Sequence, residues 1–370
     1  MKKILILSAS TGGGHNRAAK AIQEELVTKN IDCEIIDSLK FVSPTIDTII
    51  SKGYEKSAMY IPKTYGKMYK ISDLKISKSG MNTNLPLAYM IKKLKKLITN
   101  MQPDAIIGTH PFPLMAVSNL KKHNIIDIPI ISILTDYTIH STWIQKEVDN
   151  YIVGDEYVKY LLEEEGIPKD KIYPYGIPIE KSFLSSNIEG IKKELNLEDK
   201  FTVLLMGGSF GAGNIKEAFL DLLSIDKDFQ IIVVTGRNSS LKEKIEKTLE
   251  SVNTNKNIVI LPFTNKMNDI LSVSDILITK PGGLTTTEAL LKEIPMIIPY
   301  YIPGQEGENL DFLLNSGVAL KTTEKYNLKI LVTLLMENPN RLDNLKSNIN
   351  SLKKLNSSEN ICNLIMSKIK

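Results

Sequence analysis

From Lys3 the chain runs through four consecutive apolar residues, Ile4 to Leu7, and then turns small and polar. The next segment, "HNRAAKAIQEELVTKN", places Ala18, Ile22 and Leu26 on one stripe. The short apolar run reads as a buried strand and the stripe, with its period near 3.6, as an amphipathic helix. Further short apolar runs follow in "DCEIIDS", "DAIIGTH", "IPIISILTD" and "NYIVGD", each ending in a polar turn. Strands alternating with helices predict a parallel sheet covered by helices on both faces. A Pro- and Gly-rich stretch, "YPYGIPIEKSF" (Tyr173–Phe183), interrupts the pattern. It then restarts as strand, glycine loop and helix in "KFTVLLMGGSFGAGNIKEAFLDLL", and continues through "DFQIIVVTGRN", "NIVILPFTN", "DILITKPGGLTTTEALLKE" and "PMIIPYYIPGQEGEN". The expectation is an α/β protein of two similar domains, residues 1–178 and 179–370. The amphipathic tail "NSSENICNLIMSKIK" is able to pack back on the first domain. Ligands of such sheets bind beyond the carboxyl ends of the strands, and a cleft between two domains is a natural site.

Composition narrows the class. Hydrophobic residues make up 42% and charged residues 24%, as in globular proteins. The only two cysteines, Cys33 and Cys362, are far apart, which argues against a disulfide framework and for a reducing compartment. Neither stands in a metal-ligand spacing. Lys2 and Lys3 before "ILIL" imitate a signal peptide, but the apolar run is too short for one. No apolar stretch approaches the ~18 residues of a spanning helix. A cytoplasmic protein is expected.

The net charge of +4 conceals an asymmetry: residues 52–96 hold eleven lysines against Glu55 and Asp73, so the remainder is mildly acidic. Tyrosines 54, 60, 65, 69 and 89 interleave with these lysines. In "LPLAYMIKKLKKLI" the residues Leu87, Ile91, Leu94 and Ile98 form an apolar stripe, with Lys92, Lys93, Lys95 and Lys96 around it. Such a helix suits an anionic bilayer surface, or else packs its stripe on its own domain. For the Lys52–Lys96 segment as a whole, with Lys63, Lys67, Lys70 and Lys75, membrane contact is the expectation. No recognition motif accompanies the charge, so nucleic acid is not expected.

The glycine turns carry the candidate chemistry. In "SASTGGGHNRAAKAI" (Ser8–Ile22), Gly12, Gly13 and Gly14 precede His15, one of only four histidines. The dinucleotide fingerprint G-x-G-x-x-G is matched only in part, since its third glycine is Arg17, although Asp37 lies near the spacing of a ribose-binding acid. Three successive glycines favour close approach by a ligand or by the other domain. His15 at a helix start suits proton transfer, while a capping or solvated histidine is the plain alternative. His110 and His140 also follow strands on the same side, and His123 reads as a surface residue. In the second half "GGSFGAGN" (Gly207–Asn214) and "KPGGLTTTEA" (Lys280–Ala289) each open a helix. Gly282, Gly283 and Thr285 lie in the second. Helix N-termini bind phosphate, and with Arg237 and Lys280 they could hold a diphosphate without metal. Thr285 and Glu288 also fit a capping box. "PGQEGEN" (Pro303–Asn309) concentrates Gln305, Glu306, Glu308 and Asn309 in a loop suited to a sugar. "DKD" (Asp226–Asp228) precedes its strand and reads as a turn rather than a metal site.

Taken together, "SASTGGGHNRAAKAI", "TDYTIHSTWIQKEVDNYIVGDE", "GIPI", "MGGSFGAG" and "TKPGGLTTTEALLKEIPMIIPYYIPGQEGENLDFLLNSGVA" closely resemble the monogalactosyldiacylglycerol synthase and processive diacylglycerol glucosyltransferase family, over about residues 1–350. A more distant likeness is to the enzyme that adds N-acetylglucosamine to the lipid-linked peptidoglycan precursor. The resemblance implies two Rossmann-like domains facing across a cleft, the GT-B arrangement. It implies an inverting, metal-independent, cofactor-free transfer of a hexose, glucose favoured and galactose the alternative, from a UDP-hexose to the 3-hydroxyl of diacylglycerol, peripheral on the cytoplasmic face of the plasma membrane. By the same resemblance Glu288 binds ribose, the backbone near Phe263 reads uracil, and Gly208 and Ser209 lie by the diphosphate. Gln305 and Glu306 hold the hexose. His15 matches an essential histidine, the first candidate base or else a group that only positions the diphosphate, while Asp136, with His140 and Trp143, matches an acceptor-side motif and is the second candidate base. An N-acetylglucosaminyl transferase of the peptidoglycan type, a UDP-sugar epimerase and a non-catalytic UDP-sugar sensor are the rival readings.

Overall fold

The computed structural model of the 370-residue chain describes residues 2–10, 13–43, 66, 73, 85–208 and 213–369. The chain divides into two compact units. The first holds Met1–Lys181, Pro303–Gln305 and Lys354–Lys370; the second holds Ser182–Ile302 and Glu306–Lys353.

The first unit contains strands β1 (Lys3–Ser8), β2 (Asp32–Asp37), β3 (Ala105–Gly108), β4 (Ile130–Ile133), β5 (Asn150–Ile152) and β6 (Ile172–Tyr173). Its helices are α1 (Gly14–Thr28), α2 (Ser38–Val42), α3 (Leu85–Met101), α4 (Pro111–Lys122) and α5 (Glu156–Glu164). The strands form one parallel sheet in the order β2-β1-β3-β4-β5-β6. Alternation along β1 sends Ile4 and Ile6 to one face and Leu5 and Leu7 to the other. Ile4 and Ile6 pack with Ala19, Ile22 and Leu26 of α1. Leu5 and Leu7 pack with Leu94 and Ile98 of α3 and Leu114 and Val117 of α4. A parallel sheet buried on both faces needs strands that are apolar throughout, which is why "ILIL" shows no polar alternation.

The second unit contains α6 (Ile188–Glu194), β7 (Thr202–Met206), α7 (Ile215–Leu223), β8 (Gln230–Val234), α8 (Ser239–Glu250), β9 (Ile258–Leu261), α9 (Met267–Ser272) and β10 (Ile276–Ile278). It continues with α10 (Gly283–Leu291), β11 (Met296–Ile298), α11 (Gln305–Asn315), β12 (Ala319–Lys321), α12 (Leu328–Glu337) and α13 (Pro339–Leu352). The strand order is β12-β11-β10-β7-β8-β9, again parallel. Val203 and Leu205 pack on Phe219 and Leu222 of α7 and on Leu331 and Leu335 of α12.

Each sheet reverses its direction of growth once. In the first, the chain builds β2 on one side of β1 and then returns to lay β3 on the other. In the second, β8 and β9 extend one way from β7, and β10 then pairs with its other edge. Beyond the strand ends at such a switch point the connecting loops part, leaving a crevice where ligands bind.

The structure decides one reading left open by the sequence and overturns another. The apolar stripe of α3 lies in the core of its own unit: Leu87, Met90, Leu94 and Ile98 are buried and Ile91 is partly so, with Lys92, Lys95 and Lys96 exposed. That stripe is therefore not available to a bilayer. The lysines at 52, 56, 63, 67, 70, 75 and 78 lie outside the described residues. Gln305 to Asn309 do not form a loop but the first turns of α11, entered through Gly304 at φ 105°. Glu306 and Glu308 in the first turn suit the positive end of the helix dipole. Among the described residues no helix is long and apolar enough to cross a membrane.

The last helix, α14 (Ser357–Lys368), belongs to the first unit. Ile361, Cys362 and Ile365 pack into the α1 layer, and Ser357 Oγ donates to the Gly176 carbonyl at 2.7 Å. Ile361 is fully buried. Ile361→Ala removes about 2–5 kcal/mol from the first unit. A lowered denaturation midpoint, followed by the fluorescence of Trp143, the single tryptophan, is the expected result.

Candidate active site

Between β1 and α1 the described chain includes Gly13. Gly13 sits at φ 86°, a left-handed conformation that glycine adopts without strain, and α1 starts at the next residue with no side-chain cap. A chain of polar contacts holds this turn. Ser8 Oγ donates to Asn16 Oδ1 at 2.6 Å, Asn16 Nδ2 donates to Ser10 Oγ at 2.9 Å, and Ser10 Oγ donates to Asp37. Asp37 also accepts from the Lys40 amide at 3.2 Å. The acid at the dinucleotide spacing is thus engaged in building the turn.

His15, second in α1, reaches across to the neighbouring strand β3. Its Nδ1 lies 2.7 Å from the Thr109 carbonyl and 2.9 Å from Thr135 Oγ1, the latter just past β4. A carbonyl only accepts, so Nδ1 carries the proton and the neutral ring presents Nε2 as an acceptor. His15 is accordingly not a helix cap. Desolvation pushes its pKa from 6.5 down to about 4, with the hydrogen bond to Thr109 opposing. His110, just past β3, packs edge-on against it, ring centroids 4.6 Å apart at 72°. Trp143 stands 6.5 Å from the His15 ring. His110 accepts the Phe112 amide on Nδ1 at 3.2 Å and so caps α4. Burial and the nearby His15 hold its pKa well below the ordinary value.

The remaining first-unit candidates spread around this pair. Asp136 is buried and accepts from the Gln305 side-chain amide, so the second candidate base and one expected hexose ligand are bonded to each other. His140 caps the short turn Ser141–Trp143, with its Nε2 3.8 Å from Asp73 Oδ1. His123 is exposed, as expected of a surface residue.

In the second unit the switch point brings together the turns after β7 and β10. Gly208 adopts φ 69°, and a Cβ there would lie 3.2 Å from Lys280 Cε. Lys280 forms an ion pair with Glu306, whose Oε2 accepts the Ile302 amide at 2.9 Å. Asn309 is fully buried and donates to the Pro281 carbonyl at 3.0 Å, tying α11 to the turn before α10. The capping-box alternative for Thr285 and Glu288 fails, because Gly282 is the N-cap and no side chain caps α10. Glu288 instead lies in the second turn, 2% exposed. Gly283 opens the helix, and its carbonyl accepts from Thr287 Oγ1 at 2.8 Å. Arg237 stacks on Phe263 at 5.0 Å, and that ring is 48% exposed at the end of β9. Ser209 and Gly12 lie outside the described residues. Among the described residues no group of three or more His, Cys, Asp or Glu is placed to hold a metal ion.

The sequence matches the family described as monogalactosyldiacylglycerol (MGDG) synthase over residues 15–179, and the glycosyltransferase family 28 C-terminal domain over residues 202–361. A processive diacylglycerol beta-glucosyltransferase of Bacillus cytotoxicus is 32% identical across 98% of this chain and 93% of that protein. The chain belongs to this family. The transferase is thus an enzyme, a UDP-sugar-dependent hexosyltransferase. Among solved structures, MurG of Acinetobacter baumannii is similar with a TM-score of 0.67 at 13% identity, covering 99% of this chain and 100% of that one. A UDP-GlcNAc 2-epimerase of Neisseria meningitidis, bound to UDP-GlcNAc, gives 0.64 at 17%, covering 99% and 100%. These likenesses establish the fold, two Rossmann-like units of the GT-B type.

Sequence reasoning missed Thr109 and Thr135 in the transferase. Their signal was faint: "GTH" and "LTD" are the polar ends of adjacent strands, but a backbone carbonyl that fixes a tautomer leaves no mark on composition. The expected behaviour of His15 is definite. In 1H–15N spectra it stays neutral, with the proton on Nδ1, from pH 8 down to about 5; titration near 6.5 would contradict the site. The sign for stability follows from the depressed pKa. The unfolded chain takes up the proton first, so the contribution of His15 is complete above 6.5 and is lost as pH falls from there toward about 4.

Proposed function

We propose that the transferase moves glucose from UDP-glucose to the 3-hydroxyl of 1,2-diacylglycerol at a membrane surface, with inversion at the anomeric carbon. The observation that carries the reading is the bond from His15 Nδ1 to the Thr109 carbonyl at 2.7 Å, which leaves Nε2 as a base that is neutral at physiological pH. His15 Nε2 takes the hydroxyl proton, the hydroxyl oxygen bonds to the anomeric carbon, and the bond from that carbon to the diphosphate oxygen breaks. A single displacement of this kind inverts the centre. UDP leaves with the bonding pair.

The second unit supports the donor in this reading. The helices behind its two glycine turns, α7 and α10, lack side-chain caps. Helices α4, α5, α6, α8 and α12 have them, while α1, α9, α13 and α14 also lack them, so it is the glycine turns before α7 and α10 that mark these two. Uncapped N–H groups and the positive dipole end favour phosphate. Lys280 would exchange Glu306 for the diphosphate, releasing that carboxylate toward the hexose, and no metal is called upon. The stacking of Arg237 on Phe263 favours the base end of UDP for this arginine over the phosphates. Glu288 is assigned to the ribose.

Glucose and diacylglycerol are chosen on the strength of the Bacillus relative, as is processive addition. The exposed Lys92, Lys95 and Lys96 of α3 favour an anionic surface, and a peripheral place on the cytoplasmic face follows from that reading. The test supplies diacylglycerol vesicles with UDP-glucose, UDP-galactose and UDP-N-acetylglucosamine in parallel and reads product by mass spectrometry. Glucosyl-diacylglycerol is expected. UDP binding without a lipid product would turn the assignment to the peptidoglycan-type, epimerase or sensor readings. His15→Ala is expected to lower kcat by roughly 10²–10⁴ while UDP still binds. Near-normal turnover would remove His15 as the base.

A further inference from the structure

The catalytic reading uses one imidazole, yet two meet at the switch point of the first sheet. We infer that His110 is a positioning residue for His15: its Nδ1 fixes the turn that presents the Thr109 carbonyl, and its ring walls the His15 imidazole. The inference rests on the reading of His15 as the base.

Three observations carry it. First, Thr109 and His110 are consecutive, so the carbonyl that accepts from His15 Nδ1 belongs to the peptide leading into the His110 cap. The cap, an extended residue at φ −143° and ψ 141° bonded to the Phe112 amide at 3.2 Å, holds that peptide in place. Second, a cap alone does not call for histidine. Asn, Asp, Ser and Thr are the preferred caps, and an imidazole brings a ring that capping does not use. That ring is 5% exposed and rests against His15 on one side and Phe112 on the other, the latter at 5.0 Å. Third, the proton assignments of the two rings are opposite. His110 Nδ1 accepts from a backbone amide, so its proton sits on Nε2 and its one lone pair is engaged. His110 therefore does not compete for the acceptor's proton, and His15 is left as the base of the pair. Small displacements of a catalytic group can lower rates about 10²-fold, so fixing a single ring has a measurable effect.

Two variants of the full chain separate the two parts of the role. His110→Asn keeps a capping oxygen and removes the ring; His110→Phe keeps a ring and removes the capping acceptor. Each is assayed with UDP-glucose and diacylglycerol in phosphatidylglycerol vesicles, and His15 is followed by long-range 1H–15N spectra. The expected result is a fall in kcat on the order of 10–100-fold in both, with KM for UDP-glucose within twofold of wild type. The single Nδ1–H tautomer of His15 gives way to a mixture. A variant whose kcat stays within twofold and whose His15 tautomer is unchanged would overturn the inference for the part it removes, and both together would overturn it entirely. If one variant does not fold, the other still decides. Since the tautomer is read without turnover, an active His15→Ala enzyme would defeat the base reading and leave the positioning test standing.

Discussion

The contact on which the candidate site depends joins residues 94 positions apart, His15 Nδ1 and the Thr109 carbonyl. Sequence distance does not hinder it, because β1 and β3 are adjacent strands. The chain lays β2 on the far edge of β1 before returning, and that return brings the turn after β3 next to the turn after β1. A parallel sheet that grew in one direction only would place the β2 turn there instead. The reversal of strand order therefore puts a helix start, a strand-end carbonyl and two imidazoles in one crevice. The glycines follow from the same demand: Gly13 turns the chain at φ 86° so that α1 can start at once and His15 can point back over the strand ends.

The second unit solves the same geometric problem with different chemistry. Its reversal lies between β7 and β10, and Gly208 there lets Lys280 approach the turn after β7. Where the first unit gathers neutral imidazoles and hydroxyls, the second gathers uncapped helix starts and a lysine held by Glu306. Proton transfer needs a group whose charge can change, and a diphosphate needs groups whose charge is fixed. In the proposed reaction one topology would serve both, because the strand ends supply position and the loops supply chemistry.

Much of this was legible in the sequence. Continuous apolar runs without alternation marked strands buried on both faces, and glycine turns marked the two switch points. The helix stripe of Ala18, Ile22 and Leu26 was readable for the same reason, since burial on one side imposes its period. What was not legible was the partner of each exposed pattern. The α3 stripe could have met a bilayer or its own sheet, and period alone does not tell them apart; the structure buries Leu94 and Ile98 in the core. The first turns of α11 follow an apolar strand and concentrate polar groups as a loop does, although Glu306 and Glu308 already carry the acid signature of a helix start. At the site, side chains were visible and the backbone was not. Thr109 contributes a carbonyl, for which any residue type would do. Asp37 sat at a suggestive spacing, but its engagement by Ser10 and Lys40 required the fold.

His15 combines two properties that oppose each other. Burial disfavours the imidazolium, which keeps the ring neutral and able to accept a proton at physiological pH. The same burial makes it a weak base, and a weak base alone would be a poor catalyst. The Thr109 carbonyl bears on both sides of this conflict. In the neutral ring it fixes the tautomer through an ordinary hydrogen bond. Once Nε2 gains a proton, that bond becomes charge-assisted, and such bonds are roughly twice as strong. In the proposed reaction the stabilisation would grow as the proton moves, which is the condition for an interaction to lower a barrier rather than merely to bind. For the proposed role of His15, a base that is scarcely charged at rest and better supported when charged would follow from one carbonyl at the end of β3, and the position of that carbonyl follows from the order of the strands.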